Sequence, residues 1–165
     1  MVQPWRRPTP FHKLQWLFPI AVTVHNLEEA IWLPGFVATH AHQIPWTVSP
    51  GVFRLAIVAL TLAAWMVTFL SSRSGRQTIW AYLVFGYMIA MLANVFVPHI
   101  PSVFVFQRYV PGFGTAVVLD LPVLTFLSIW ALREAYVSGT KAVWFGIGVP
   151  VGMAATTVAL FAMVR

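Results

Sequence analysis

The sequence predicts an all-α membrane helix bundle of about five transmembrane helices, and three observations carry that prediction. Hydrophobic residues make up 59% of the 165 residues and charged ones only 8%, too little polarity to cover a water-facing domain of ordinary size. The apolar residues fall in runs of about 17 to 23, the length that crosses a hydrocarbon core. No run alternates with a period of two, and backbone groups in hydrocarbon must bond internally, so helices rather than barrel strands are the expected form.

The first span is expected at residues 14–33, opening after Arg6, Arg7 and Lys13. Its length of about 20 residues, with no small-residue cleavage site after it, argues against a secretory signal. Pro45 and Ser49-Pro50-Gly51 then mark a turn before a second span at 54–70. Ser71 to Gly75 separate it from a third at 79–97, and Pro98 and Pro101 precede a fourth at 110–132. The fifth is expected at 142–164, where Gly148 and Gly152, with Gly146 and Pro150 near them, form a small-xxx-small pair. Such a pair packs closely against another helix, of this chain or of a second copy, so a homo-oligomer stays open. The loops leave no room for a soluble domain, and 1–165 reads as a single transmembrane domain. No internal repeat is visible, and an odd helix number argues against an inverted-repeat transporter within one chain.

The net charge of +6 comes from ten Lys and Arg against four acids. These bases are scattered at the ends of apolar runs, which indicates topology and no nucleic-acid partner. With five spans, Arg6, Arg7, Lys13, Arg73, Arg76, Arg133 and Lys141 share the amino-terminal side, against Arg54, Arg108 and Arg165 on the other. Seven against three predicts a cytoplasmic amino terminus and a carboxyl terminus outside. Trp32, Trp46, Trp80, Trp130 and Trp144 lie near span ends, where an indole prefers to sit.

Chemistry concentrates in Val24-His25-Asn26-Leu27-Glu28-Glu29-Ala30, inside the first span. An ionisable group at the centre of a membrane helix costs about 2.5–3.5 kcal/mol on insertion scales, so these side chains must be paired or protonated. At about 3.6 residues per turn, His25 and Glu29 stack one turn apart with Glu28 beside them, and Ala21 lets another helix approach that face. His25 and Glu29 are expected to face the bundle interior, with Arg54, Asn94 or His99 within hydrogen-bonding reach. Two adjacent acids in so apolar a setting cannot both ionise cheaply, so one is expected to keep its proton.

His25-Asn26-Leu27-Glu28-Glu29 resembles the motif that names the HXXEE family of small multi-pass membrane proteins, and length and hydrophobicity agree. The resemblance implies a membrane bundle and no particular reaction. Other polar groups can be placed by depth. Glu28, Glu29 and Asn94 lie near the outward ends of their helices, Arg54 begins the second span there, and His99 is expected just outside the third. Asn94 also reads as interhelical glue, His40 and His42 as solvated loop residues, and Asp120 as a mid-span acid beside Pro122.

Three classes of function follow. In the first, an enzyme uses His25, Glu28, Glu29, Asn94 and Asp120 for acid/base chemistry on a small lipophilic, isoprenoid-like substrate held by Arg54, Tyr87 and Tyr109. Aromatic residues, 15% of the chain, suit a cationic intermediate, and no cofactor is required. A metal-dependent version would place zinc or iron on His25, Glu29 and His99, with Glu28 as a further candidate. In the second, the same acids serve a proton-coupled carrier or binder, with Asp120 in the relay. A structural membrane subunit is the third reading. The absence of cysteine excludes thiolate metal sites and cysteine nucleophiles, and no nucleophile elbow or phosphate-cradling loop is present. Whether the chain is an enzyme is not decided by its sequence.

Overall fold

The computed structural model describes residues 10–44 and 49–163, with side chains through residue 160. Arg6, Arg7, Pro45, Trp46 and Arg165, used above for topology and turns, lie outside the described residues. A short helix α1 (Pro10–Leu14) leads into α2 (Leu17–Thr39), α3 (Pro50–Ser74) and α4 (Ile79–Asn94). A π-helical turn, Val95–His99, joins α4 to α5 (Ile100–Phe106). A single turn, α6 (Phe113–Thr115), and a second π-helical segment, Ala116–Asp120, open α7 (Leu121–Arg133), and α8 (Gly139–Met163) follows.

Pro50–Ser74, Ile79–Phe106, Phe113–Arg133 and Gly139–Leu160 are long and apolar enough to cross a membrane. The 23-residue α2 joins them in the bundle, its apolarity lowered by the polar residues of the motif. The chain is thus an all-α, multi-pass membrane protein of five long helices among the described residues. The second span is wider than expected at both ends, whereas the first and fourth begin later, at Leu17 and Phe113, because turn chemistry rather than hydropathy sets the ends. Ser49 caps α3 by accepting from the Val52 amide, with Pro50 at the first turn. Thr78 does the same for α4 through the Ala81 amide.

The third span departs most from expectation. Pro98 does not end it; the helix bends at Val97 (φ −147°, ψ 112°) and resumes to Phe106. The extended backbone at Val97 is what a residue preceding proline adopts. His99 therefore lies within the bent helix and is buried, 3% exposed, rather than outside it.

α4 is the central helix, packed against α3, α7 and α8, while α2 packs against α3 and α7. Phe18, Val22, Val84, Met88, Leu124 and Leu127 fill the middle of the bundle and are fully buried. In hydrocarbon, tight packing and interhelical hydrogen bonds hold helices together. Asn26 Nδ2 donates to Thr61 Oγ1 at 2.7 Å, Trp65 Nε1 to Thr23 Oγ1 at 3.0 Å, and Tyr87 Oη to the Leu60 carbonyl at 2.8 Å. The close helix approach is made at Gly86, where a Cβ would fall 2.6 Å from the Phe145 carbonyl of α8. Gly146 faces Phe85 across the same seam, but Gly148 and Gly152 face open space, so the small-residue pair does not form the packing expected of it within this chain.

At one end of the bundle, Ser71 Oγ donates to Gln15 Oε1 at 2.9 Å, and the Tyr136 hydroxyl donates to the Ser71 carbonyl at 3.1 Å. Glu134 accepts from Trp130 Nε1 at 2.5 Å and from the Phe11 amide. These bonds pin α1 and the ends of α3 and α7 together. The other end carries the motif.

Candidate functional site

The site assembles from three chain segments. α2 presents His25, Glu28 and Glu29; the bend after α4 presents His99; and the stretch from Tyr109 to Asp120 closes over them. His25, Glu29, His99 and Asp120 converge, with side-chain exposures of 1%, 15%, 4% and 1%. Glu29 is the member with an edge toward the surface.

The two glutamates differ in their surroundings. Glu28 Oε1 accepts from the Tyr109 hydroxyl and from the Gly112 amide at 3.0 Å. Its Oε2 accepts from the Thr115 amide at 3.3 Å and from Thr115 Oγ1 at 2.7 Å. Glu28 thereby fastens α2 to the start of the fourth span. Partial burial, then the hydrogen bond to Glu28, holds the Tyr109 phenol above its ordinary pKa, against the opposing effect of the Gly114 amide that donates to it. Glu29 instead turns to the histidines, with Oε1 3.4 Å from His99 Nε2 and 3.9 Å from His25 Nε2.

Donor counting assigns a tautomer to each histidine. With the single hydroxyl hydrogen of Thr115 directed to Glu28 or to the Gly112 carbonyl, Thr115 Oγ1 is left to accept from His25 Nδ1, 3.0 Å away. Asp120 Oδ2 lies 3.4 Å from the same nitrogen, an acid behind the imidazole. His25 Nε2 then carries a lone pair, and it has no hydrogen-bond partner among the described residues. Asn94 Nδ2 donates to His99 Nε2 at 3.0 Å, which places a lone pair on that nitrogen too. The two imidazoles stand edge to face with ring centroids 4.9 Å apart. Three acceptor atoms, His25 Nε2, His99 Nε2 and Glu29 Oε1, thus face one another within 4.8 Å. His99 Nε2 already accepts from Asn94, so the acceptor left without a hydrogen is His25 Nε2 facing the Glu29 carboxyl, an arrangement that a proton on Glu29 or a cation relieves.

Gly112 is the lid of the cluster. Its φ of +91° is in the left-handed region, and a Cβ there would lie 2.5 Å from His99 Cε1 and 3.0 Å from Glu29 Oε1. Glycine meets both demands at once.

Several expected residues are drawn together here: His25, Glu28, Glu29, Asn94, His99, Tyr109 and Asp120. Asp120, expected at mid-depth and apart, joins the cluster because its span begins only at Phe113 and the π-helical segment turns it toward His25. Of the three candidate partners Arg54, Asn94 and His99, it is His99 that reaches Glu29, at 3.4 Å; Arg54 Nε donates to the Ala30 carbonyl at 3.1 Å and forms no ion pair among the described residues. Tyr87 packs against Phe18 about two turns away, its hydroxyl held by Leu60. His40 stacks on Phe36 and meets Arg108 Nη1 at 3.1 Å, outside the cluster. Thr115 and Gly112 were not anticipated. The Pro111-Gly112 dipeptide, a turn signal at the mouth of a span, was the available clue.

Comparison with known proteins places this chain in a family. The chain is 30% identical over 106 residues to the uncharacterized protein YrkK of Bacillus subtilis (strain 168), a match covering 64% of this chain and 66% of that protein. No solved structure matches the chain. A family described as proteins of unknown function with an HXXEE motif matches residues 16–131. That stretch contains His25, Glu28, Glu29, Asn94, His99, Thr115 and Asp120, the whole of the cluster and its supports, and the chain belongs to this HXXEE family.

Proposed function

We propose that the cluster is the reactive site of a membrane-embedded enzyme that exchanges a proton with a small lipophilic substrate of isoprenoid-like chemistry. The observation that carries this reading is the convergence of His25 Nε2, His99 Nε2 and Glu29 Oε1 within 4.8 Å of one another, with the buried His25 Nε2 unpartnered among the described residues. In the simplest form the proton sits on Glu29, shared toward His25 and His99. Asp120 and Thr115 hold the His25 ring so that Nε2 can take the proton up and return it, the division of labour found wherever an acid orients a basic imidazole. Glu29 is the group that meets the substrate, being the member with an exposed edge.

Substrate would arrive past the exposed Tyr109, whose bond to Glu28 holds the loop over the site. A groove of about 210 Å³ between α2 and α3, lined by Asn26, Leu27, Ala30, Ile57 and Thr61, runs beside the motif and suits an apolar tail. Seven basic residues on the amino-terminal side against three on the other support a site near the outer face.

The carrier reading needs a polar route across the bundle. Phe18, Val22, Val84, Met88, Leu124 and Leu127 lie between this cluster and the Gln15, Ser71 and Tyr136 network at the other end, and an apolar layer of that depth favours a site over a conduit.

The test compares extracted lipids from cells producing the wild-type chain, Glu29→Gln or His25→Ala at matched, folded levels. A lipophilic species consumed or formed only with the wild type supports the proposal. Identical lipid profiles, with proton flux into liposomes that Asp120→Asn abolishes, would replace it by the carrier.

A further inference from the structure

The lone pairs that converge on the site have a second use. His25 Nε2, His99 Nε2 and Glu29 Oε1 are all within 4.8 Å of one another, with two of the separations at 3.9 and 3.4 Å. Two ligand atoms on a tetrahedral ion, each about 2.0–2.1 Å from it, stand roughly 3.3 Å apart. Side-chain adjustments of about an ångström, with Asn94 Nδ2 releasing His99 Nε2, therefore turn the present arrangement into a coordination sphere. We propose that His25, His99 and Glu29 bind one divalent first-row metal ion of the zinc or ferrous class, at the positive position that the proposed function assigns to a proton.

Four features of the surroundings support a metal rather than a chance grouping. His25 Nε2 is buried, free of hydrogen-bond partners among the described residues and aimed at the other two atoms. The far nitrogen of the same ring is held by Thr115 at 3.0 Å and flanked by Asp120 at 3.4 Å, the outer support that fixes ring orientation and raises basicity in histidine metal sites. Glu28 is occupied by four hydrogen bonds to Tyr109, Gly112 and Thr115, so the protein supplies three ligands and leaves a position open. Gly112 leaves room beside two of the ligands, since a Cβ there would sit 2.5 Å from His99 Cε1 and 3.0 Å from Glu29 Oε1.

Two imidazoles and one carboxylate form a donor set for zinc or ferrous iron, whereas calcium and magnesium prefer oxygen throughout. A water in the open position would be acidified by such an ion, which names the proton source of the proposed enzyme. The inference rests on the same cluster as that function, yet it can fail separately.

Its test uses the full chain purified in detergent, stripped with chelator and titrated with Zn²⁺, Co²⁺ and, without oxygen, Fe²⁺. The expected result is one ion per chain, with a cobalt absorption spectrum typical of four ligands of mixed nitrogen and oxygen. Affinity should fall at least about 100-fold in His25→Ala and His99→Gln, and about 10- to 100-fold in Asp120→Asn. The surface variant His42→Ala should bind as the wild type does. Thermal melting of each metal-free variant shows whether it is folded. Preferential binding of Zn²⁺ or of Fe²⁺ identifies the ion. Folded wild type that binds neither, or binding that persists in His25→Ala and His99→Gln, overturns the inference. Unbound metal together with lipid changes that require Glu29 would leave the proton-based enzyme standing. Stoichiometric metal with unchanged lipids would keep the site and remove the enzyme.

Discussion

Replacing Gly112 by alanine tests the lid over the cluster, and its cost can be worked from two terms. A left-handed residue with a Cβ costs about 1–2 kcal/mol in backbone energy, and φ at Gly112 is +91°. The new Cβ would also meet His99 Cε1 at 2.5 Å and Glu29 Cγ at 3.0 Å, and overpacking of that kind costs about 1–3 kcal/mol. The expected loss is about 2–5 kcal/mol. Gly139→Ala supplies the control, because φ there is +64° and nothing lies within 4 Å of its added Cβ. That variant should lose only the backbone term of about 1–2 kcal/mol. With about 2–4 °C per kcal/mol for a chain of this length, Gly112→Ala should melt roughly 4–20 °C below wild type and Gly139→Ala roughly 2–8 °C below. The assay is thermal unfolding of the detergent-purified proteins followed by tryptophan fluorescence. Equal losses in the two variants would refute the close approach of Gly112 to His99 and Glu29.

Thr115→Val removes the hydroxyl that bridges Glu28 and His25 and should cost about 1–3 kcal/mol by the same melting assay; an unchanged melting temperature would show that the bridge contributes nothing. The Tyr109 phenol, held above its ordinary value by partial burial and by Glu28, should ionise in ultraviolet difference spectra above the usual tyrosine value of about 10, and Glu28→Gln should lower it. The sign follows from proton linkage: the stabilisation is fully present below about pH 10 and is lost as pH rises through the raised value. Reporter fusions after Gln43 and after Arg76 should report the outside and the cytoplasm respectively, and one compartment for both would remove the outward-facing site from consideration.

Composition and run length made the helical membrane bundle legible, because a hydrocarbon solvent leaves the chain few alternatives. The pairing of His25 with Glu29 was legible from helical spacing alone. Their partners were less so. His99 was read as lying beyond the third span, since Pro98 looks like a stop; a helix that bends at Val97 and resumes carries His99 back into the bundle. Asp120 was read as deep because hydropathy extends the fourth run to residue 110, whereas Gly112 and the turn at Phe113 start the helix later and put Asp120 level with His25. Arg54 resembled an ion-pair partner on charge and depth, but it meets the carbonyl of Ala30 on its own side of α2. Charge complementarity in a sequence does not specify the face from which a side chain approaches. The bonds of Glu134 to Phe11 and of Gln15 to Ser71, which tie the opposite end together, carried no spacing signal because those partners lie more than fifty residues away.

The account turns on the lone pair of His25 Nε2, on which the proton-transfer site and the metal site both depend. Selective ¹⁵N labelling of histidine, with magnetic-resonance spectra of metal-free wild type assigned through His25→Ala, reads the state of each ring nitrogen directly. A protonated Nδ1 bonded to Thr115 and a bare Nε2 is the predicted result. A bare Nδ1 with hydrogen on Nε2 would contradict it, since the imidazole would then present a donor where both proposed chemistries require an acceptor.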